Sequence, residues 1–112
     1  MKTLQAQQLL GNRQGNAMKM FRVLVLGEHC KMDVSGDRCY MGFYVTRFVE
    51  AATPEDARVA AIAAVRRDAR LDGLILNDEA DPPLLLIDEI EAVSELDVPA
   101  VEPGIVFFRD EN

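Results

Sequence analysis

The sequence contains no tryptophan, a single histidine (His29) and only two cysteines, Cys30 and Cys39, in 112 residues. Two cysteines are too few for a disulfide scaffold, and one imidazole leaves little material for a metal cage. No apolar run approaches the roughly 18–20 residues that a membrane-spanning helix requires, and no apolar N-terminal segment of signal-peptide type is present. These absences predict a cytoplasmic protein with reduced thiols and no membrane partner. There is no glycine-rich phosphate loop and no nucleophile set beside a base and an orienting acid. Basic residues are scarce in the second half: from Asp72 onward only Arg109 stands against 12 acidic side chains. The three basic residues of 1–19 leave nine basic against 19 acidic in residues 20–112, a net charge of −10 there. Nucleic-acid binding depends on basic groups that displace counterions, so this balance argues against a nucleic-acid partner. Acidity favours solubility, or a docking face for a basic protein partner.

What is present is organised around GFYVTRFVEAATPEDARVAAIAAVRRDARL, residues 42–71. From Tyr40 to Ala51 the apolar residues are aromatic or β-branched, which fits a half-buried strand. Thr53-Pro54-Glu55-Asp56 then reads as a helix start: a capping hydroxyl, proline at the first helical position and two carboxylates at the positive end of the dipole. Val59, Ile62, Val65 and Ala69 make a stripe at helical spacing, and Asp72-Gly73 supplies a stop after a helix ending near Leu71.

Residues 1–19 are rich in Gln, Asn and Gly and predict a flexible extension preceding one domain over 20–112. Met18 and Met20 just before the first strong strand raise Met18 or Met20 as the biological start. Phe21 to Leu26 predicts the first strand, joined to the central one through a hairpin with its turn at Asp33 to Gly36, so that Met32 faces Asp37 and Cys30 faces Cys39. That register places Leu24, Leu26, Phe43, Val45 and Val49 on one face and Phe21, Val23, Val25, Tyr44 and Phe48 on the other. One helix covers one face only, and a large apolar face left in water calls for a second copy of the chain. Leu84 to about Ala92 is read as a strand, with residues 88–96 also compatible with a helix, and Ile105 to Arg109 as the last strand. The expected fold class is α+β: an antiparallel four-stranded sheet in the order β-β-α-β-β with one helix packed on one face.

Few residues carry candidate chemistry. His29, Cys30 and Cys39 could be drawn together by the hairpin, as metal ligands, as a cross-strand disulfide or as a Cys-His pair, yet adjacent strand residues point to opposite faces. Asn77, Asp78, Glu79 and Asp81 offer oxygen ligands without the glycine that calcium loops use, and Asp88, Glu89 and Glu91 lack a facing partner for acid–base work. Arg47 lies among apolar residues of its strand, where a charge needs a partner. It is read as a structural ion pair or, with Tyr44, as a ligand-binding pair in a cleft.

GFYVTRFVEA, the proline-and-acid helix start, DPPLLLIDEIEAV and the closing PGIVFF resemble a family of small uncharacterised bacterial proteins, over residues 20–112. The resemblance implies the extent of the domain and carries no activity, cofactor or catalytic residue. The sequence therefore points to a non-enzymatic protein acting through protein–protein association as a homodimer. The alternatives are a toxin-neutralising or inhibitor-like acidic binding protein, and a small-molecule binder or enzyme with its site at a dimer cleft near Arg47. No cofactor is implied.

Overall fold

Strand β1 (Lys19–Val34) and strand β2 (Asp37–Ala51) form a long antiparallel hairpin, followed by helix α1 (Pro54–Arg66), strand β3 (Leu84–Val93) and strand β4 (Ile105–Arg109). The computed structural model describes residues 17–110. The four strands make one antiparallel sheet in the order β3-β1-β2-β4, so the hairpin is central and the later strands are its edges. This is the α+β architecture expected from the sequence. Most of the predicted flexible extension lies outside the described residues, and Lys19 already belongs to β1.

α1 starts as its residues dictate. Thr53 Oγ1 accepts the Asp56 N–H at 3.1 Å, Pro54 occupies the first turn, and Glu55 and Asp56 follow. The buried stripe, however, is Ala57, Ala61 and Val65 rather than one led by Val59, which is 66% exposed. Alanines let the helix axis approach the sheet, and the branched Val59 is displaced to the solvent side. The helix also ends at Arg66; Asp68 then caps a separate 3₁₀ turn at Ala69–Leu71.

The hairpin register differs from expectation for two separable reasons. The turn is the tight pair Ser35-Gly36, with φ of 55° and 92°, so Val34 faces Asp37 and Met32 faces Cys39. Positive φ at both central residues is the geometry whose twist suits a two-residue hairpin. A bulge follows: Gly27 faces Phe43 and Cys30 faces Met41, leaving Glu28 and His29 opposite the single Gly42. His29 sits there at φ 59°. The bulge switches which residues point inward, from Phe21, Val23 and Val25 before it to Cys30 and Met32 after it. The inward face thus joins Phe21, Val23 and Val25 to Phe43 and Val45, correcting the pairing with Leu24 and Leu26.

At Gly27 a β-carbon would lie 2.2 Å from the Phe43 ring, so the glycine is the space that ring fills. A second bulge, between Leu24/Val25 on β1 and Glu89/Ile87 on β3, leaves Asp88 unpaired in the edge strand. β3 runs as a strand to Val93 and settles the ambiguity of residues 88–93, with Ser94 and Asp97 forming a capping box around the short turn Glu95–Asp97.

Candidate functional site: the open face of the sheet and its flanking polar clusters

α1 lies across β1, β2 and β3 on one side of the sheet. Alternation along the strands sends Leu24, Leu26, Tyr44, Phe48, Leu84, Leu86, Val106 and Phe108 to the other side, away from α1; Phe48 borders the loop 98–103, and Leu84, Leu86 and Val106 are exposed. One row crosses all four strands: Leu86 faces Leu26, Leu26 faces Tyr44, and Tyr44 faces Val106. Leu86 is 44% exposed, Tyr44 36% and Val106 64%. The Phe108 ring packs against Tyr44 with centroids 5.5 Å apart and lies over Gly42, where a β-carbon would meet it at 2.2 Å. The apolar row is therefore a continuous surface.

The row is bounded by charge on one side. Arg22 donates from Nε to Glu91 Oε2 at 2.7 Å and from Nη2 to Glu89 Oε1 at 3.2 Å, which raises the guanidinium pKa further. Two of the three candidate acid–base carboxylates are thereby committed to Arg22, and Asp88 is the exposed bulge residue of the edge. On the other side lies the cluster built on the bulge. The His29 ring stacks on Tyr40 with centroids 4.3 Å apart, His29 Nε2 lies 2.8 Å from Asp81 Oδ1, and the Tyr40 hydroxyl donates to Asp81 Oδ2 at 3.2 Å. The His29 partnership holds the Asp81 carboxyl below its ordinary range. Asn77 fastens the same loop to β1, accepting the Lys31 N–H at 2.8 Å and donating to the carbonyls of His29 and Asp81.

The three candidate metal ligands do not converge. His29 turns to Asp81; Cys30 is buried among core residues, its thiol donating to the Glu28 carbonyl at 3.6 Å; and Cys39 faces Met32 rather than Cys30. The cysteines occupy diagonal positions of the ladder, where separations of about 7–8 Å exceed the reach of a disulfide, and both are free. Among the described residues no group of three or more His, Cys, Asp or Glu is arranged to hold a metal ion. The cation loop likewise spends Asn77 and Asp81 on internal bonds. Burial, with a smaller contribution from Asp110, pushes the Cys30 thiol up to about 11. Alkylation of the native protein at neutral pH should accordingly add one adduct, at Cys39, and the denatured protein two. Mass spectrometry counts them, and rapid native labelling of Cys30 would contradict the packing described.

Arg47 and Tyr44 lie on opposite faces of β2 and do not share a cleft within one chain. Arg47 points to the helix side, where its side chain is 16% exposed; Nη1 lies 2.6 Å from Glu102 Oε1 and 3.8 Å from Asp68 Oδ2. The approach to Glu102 is close but misaligned, so Nη1 makes no directed hydrogen bond. Asp68 in turn accepts from the Arg70 backbone at 2.9 Å and from its guanidinium at 2.6 Å, and this pairing depresses the Asp68 carboxyl. Arg70 completes the group by donating to the Pro103 carbonyl at 2.8 Å. Arg47 is thus held by carboxylates that tie β2 to the segment after α1 and to the loop before β4, as an ion pair expected from the sequence would be. Asp68, buried at 8% exposure, was not a sequence candidate; its position two residues before Arg70 and just past the helix was the signal. A further feature unforeseen from the sequence is a pocket of about 320 Å³ with an apolar floor that includes Phe43, Val65, Leu71 and Leu85 and with Arg66 and Asp72 also in its wall.

Among the described residues no helix is long and apolar enough to cross a membrane. Comparisons with protein-family models, with curated proteins and with solved structures gave no match.

Proposed function

We propose that this is a non-enzymatic protein that works by association, with the open sheet face as the interface of a homodimer. The observation that carries the reading is the uncovered row Leu86–Leu26–Tyr44–Val106, with Phe108 beside it. Apolar surface of this continuity is costly in water and marks an interaction site. A second copy suits it for three reasons. The centre of the face is uncharged, so two copies bring no like charges into contact there, and salt screens the repulsion between chains of net charge −7. The Arg22–Glu89–Glu91 groups at its margin carry both signs and are compatible with a two-fold arrangement. Three strands over nine residues and β4 over five, about 4.8 Å apart and rising about 3.3 Å per residue, offer about 500 Å² of projected area per copy, which places the pair among the smaller, reversible interfaces.

Edge-to-edge pairing suits the chain less well, because β3 carries the Asp88 bulge and exposed acids along its rim. The proposed setting is the cytoplasm, where both free thiols stay reduced, and the proposed lineage is the small bacterial family that the GFYVTRFVEA strand resembles. Substitution Leu26→Arg places a charge at the centre of the face and should raise the dimer dissociation constant at least tenfold with an unchanged circular-dichroism spectrum. A folded Leu26→Arg variant that dimerises like the parent would remove the face from consideration. Val106→Lys, on the short edge strand, answers the same question if the central substitution impairs folding.

A further inference from the structure

His29 is one of two non-glycine residues with positive φ among those described, and the only one held there by contacts on every side. Its N–H donates to Asp110 Oδ2 at 3.1 Å, its carbonyl accepts from Asn77 at 2.9 Å, its ring is stacked on Tyr40, and Nε2 meets Asp81. A strained residue persists where its surroundings over-determine it, and such positions are frequently switch elements. What the cluster holds is specific. The Leu76 N–H donates to the Lys31 carbonyl at 2.8 Å and Asn77 accepts the Lys31 N–H, so the chain from 76 to 81 runs beside β1 beyond the start of β3. Asp81 is its far anchor, and the His29 imidazole is that anchor's titratable partner.

We propose that His29, Tyr40 and Asp81 form a proton-sensitive latch that seats residues 76–81 against β1. With the imidazole neutral, one ring N–H can donate to the ionised Asp81 carboxylate; a proton on the ring turns that contact into a hydrogen-bonded ion pair between opposite charges, which is stronger. Imidazole is the side chain that makes this change near neutral pH. The charged groups around the cluster are Asp81, which meets the ring directly, Asp110, which accepts the His29 backbone N–H, Asp78, whose charge acts on Tyr40, and Lys31 on β1, whose Nζ lies 5.9 Å from the Tyr40 ring. Because Asp81 stays ionised below the ordinary carboxylate range, the latch is tightest in mildly acidic solution. It loosens as pH rises through the imidazole titration, and loosens again in strong acid once Asp81 takes a proton.

The test is amide hydrogen exchange of the whole chain, followed by NMR at Leu76 and Lys31 between pH 5.5 and 8.0 and corrected for intrinsic rates. Protection should be about threefold greater at the lower pH, the size expected of a partly exposed ion pair. In His29→Asn, which suits the left-handed backbone but cannot take the proton, the dependence should vanish. Asp81→Asn should abolish it as well, and serves alone if His29→Asn does not fold. A pH-independent wild type, or variants that keep the full response, would overturn the latch.

Discussion

Phe43→Ala should remove about 3–5 kcal/mol of folding stability, the range for truncating a buried aromatic ring, from a total that for a domain of this size is on the order of 5–15 kcal/mol. Phe43 is the largest fully buried side chain, at 0% exposure. Its ring lies over Gly27, reaches Phe107 with centroids 6.1 Å apart, and lines the pocket that it shares with Val65, Leu71 and Leu85. Urea unfolding gives the change directly. The pairing with Gly27 makes the prediction more specific than a general loss of core volume. Gly27→Ala alone forces the new methyl group against the ring and is itself destabilising, whereas in the Phe43→Ala background the methyl enters vacated space. The two losses should therefore fall short of additivity by more than about 1 kcal/mol, as expected of residues in direct contact. Additive losses would show that the ring and the glycine are not packed as described.

Asp68→Ala should cost about 2–4 kcal/mol, because it withdraws a buried carboxylate from two guanidinium groups and leaves Arg47 with Glu102 as its remaining close carboxylate. The pH dependence has a definite sign. The folded Asp68 carboxyl is depressed, chiefly by its hydrogen bonds from Arg70. Its contribution is accordingly complete above the ordinary carboxylate value and is lost as pH falls through the lower folded value. The stability difference between wild type and Asp68→Ala should be flat from about pH 7 to about pH 5 and shrink below about pH 4. A difference that grew in acid would mean that Asp68 is stabilised in its protonated form, contrary to the geometry.

Much of the fold was legible because local signals agreed with one another. Thr53-Pro54-Glu55-Asp56 fixed the helix start, β-branched and aromatic runs marked β2 and β4, and the two-sided apolar content of the hairpin indicated that a single helix leaves one sheet face open. The errors arose where backbone geometry intervened. A two-residue turn at Ser35-Gly36 and a bulge at Glu28-His29 both shift register without altering the apolar pattern within either strand. Alternation identified which residues share a face of their own strand, but not which face of the neighbouring strand they join. Periodicity alone places Val59 in the buried stripe, whereas the smaller Ala57 and Ala61 allow the closer approach to the sheet.

The candidate sites were legible to a lesser degree. Arg47 was recognisable as a charge in need of a partner, because its neighbours on the strand are apolar. Its carboxylates, Asp68 and Glu102, lie 21 and 55 residues further along the chain, and no local pattern connects them. The stacking of His29 on Tyr40 and its contact with Asp81 were hidden for the same reason: they depend on a bulge that redirects one side chain and on a loop returning from beyond α1.

Whether the open sheet face joins two copies can be read from sedimentation equilibrium of the unmodified chain from low micromolar to high micromolar concentration. A homodimer through this face should give a concentration-dependent rise from one to two chain masses that reaches a plateau at two. A single chain mass across the whole range would contradict it.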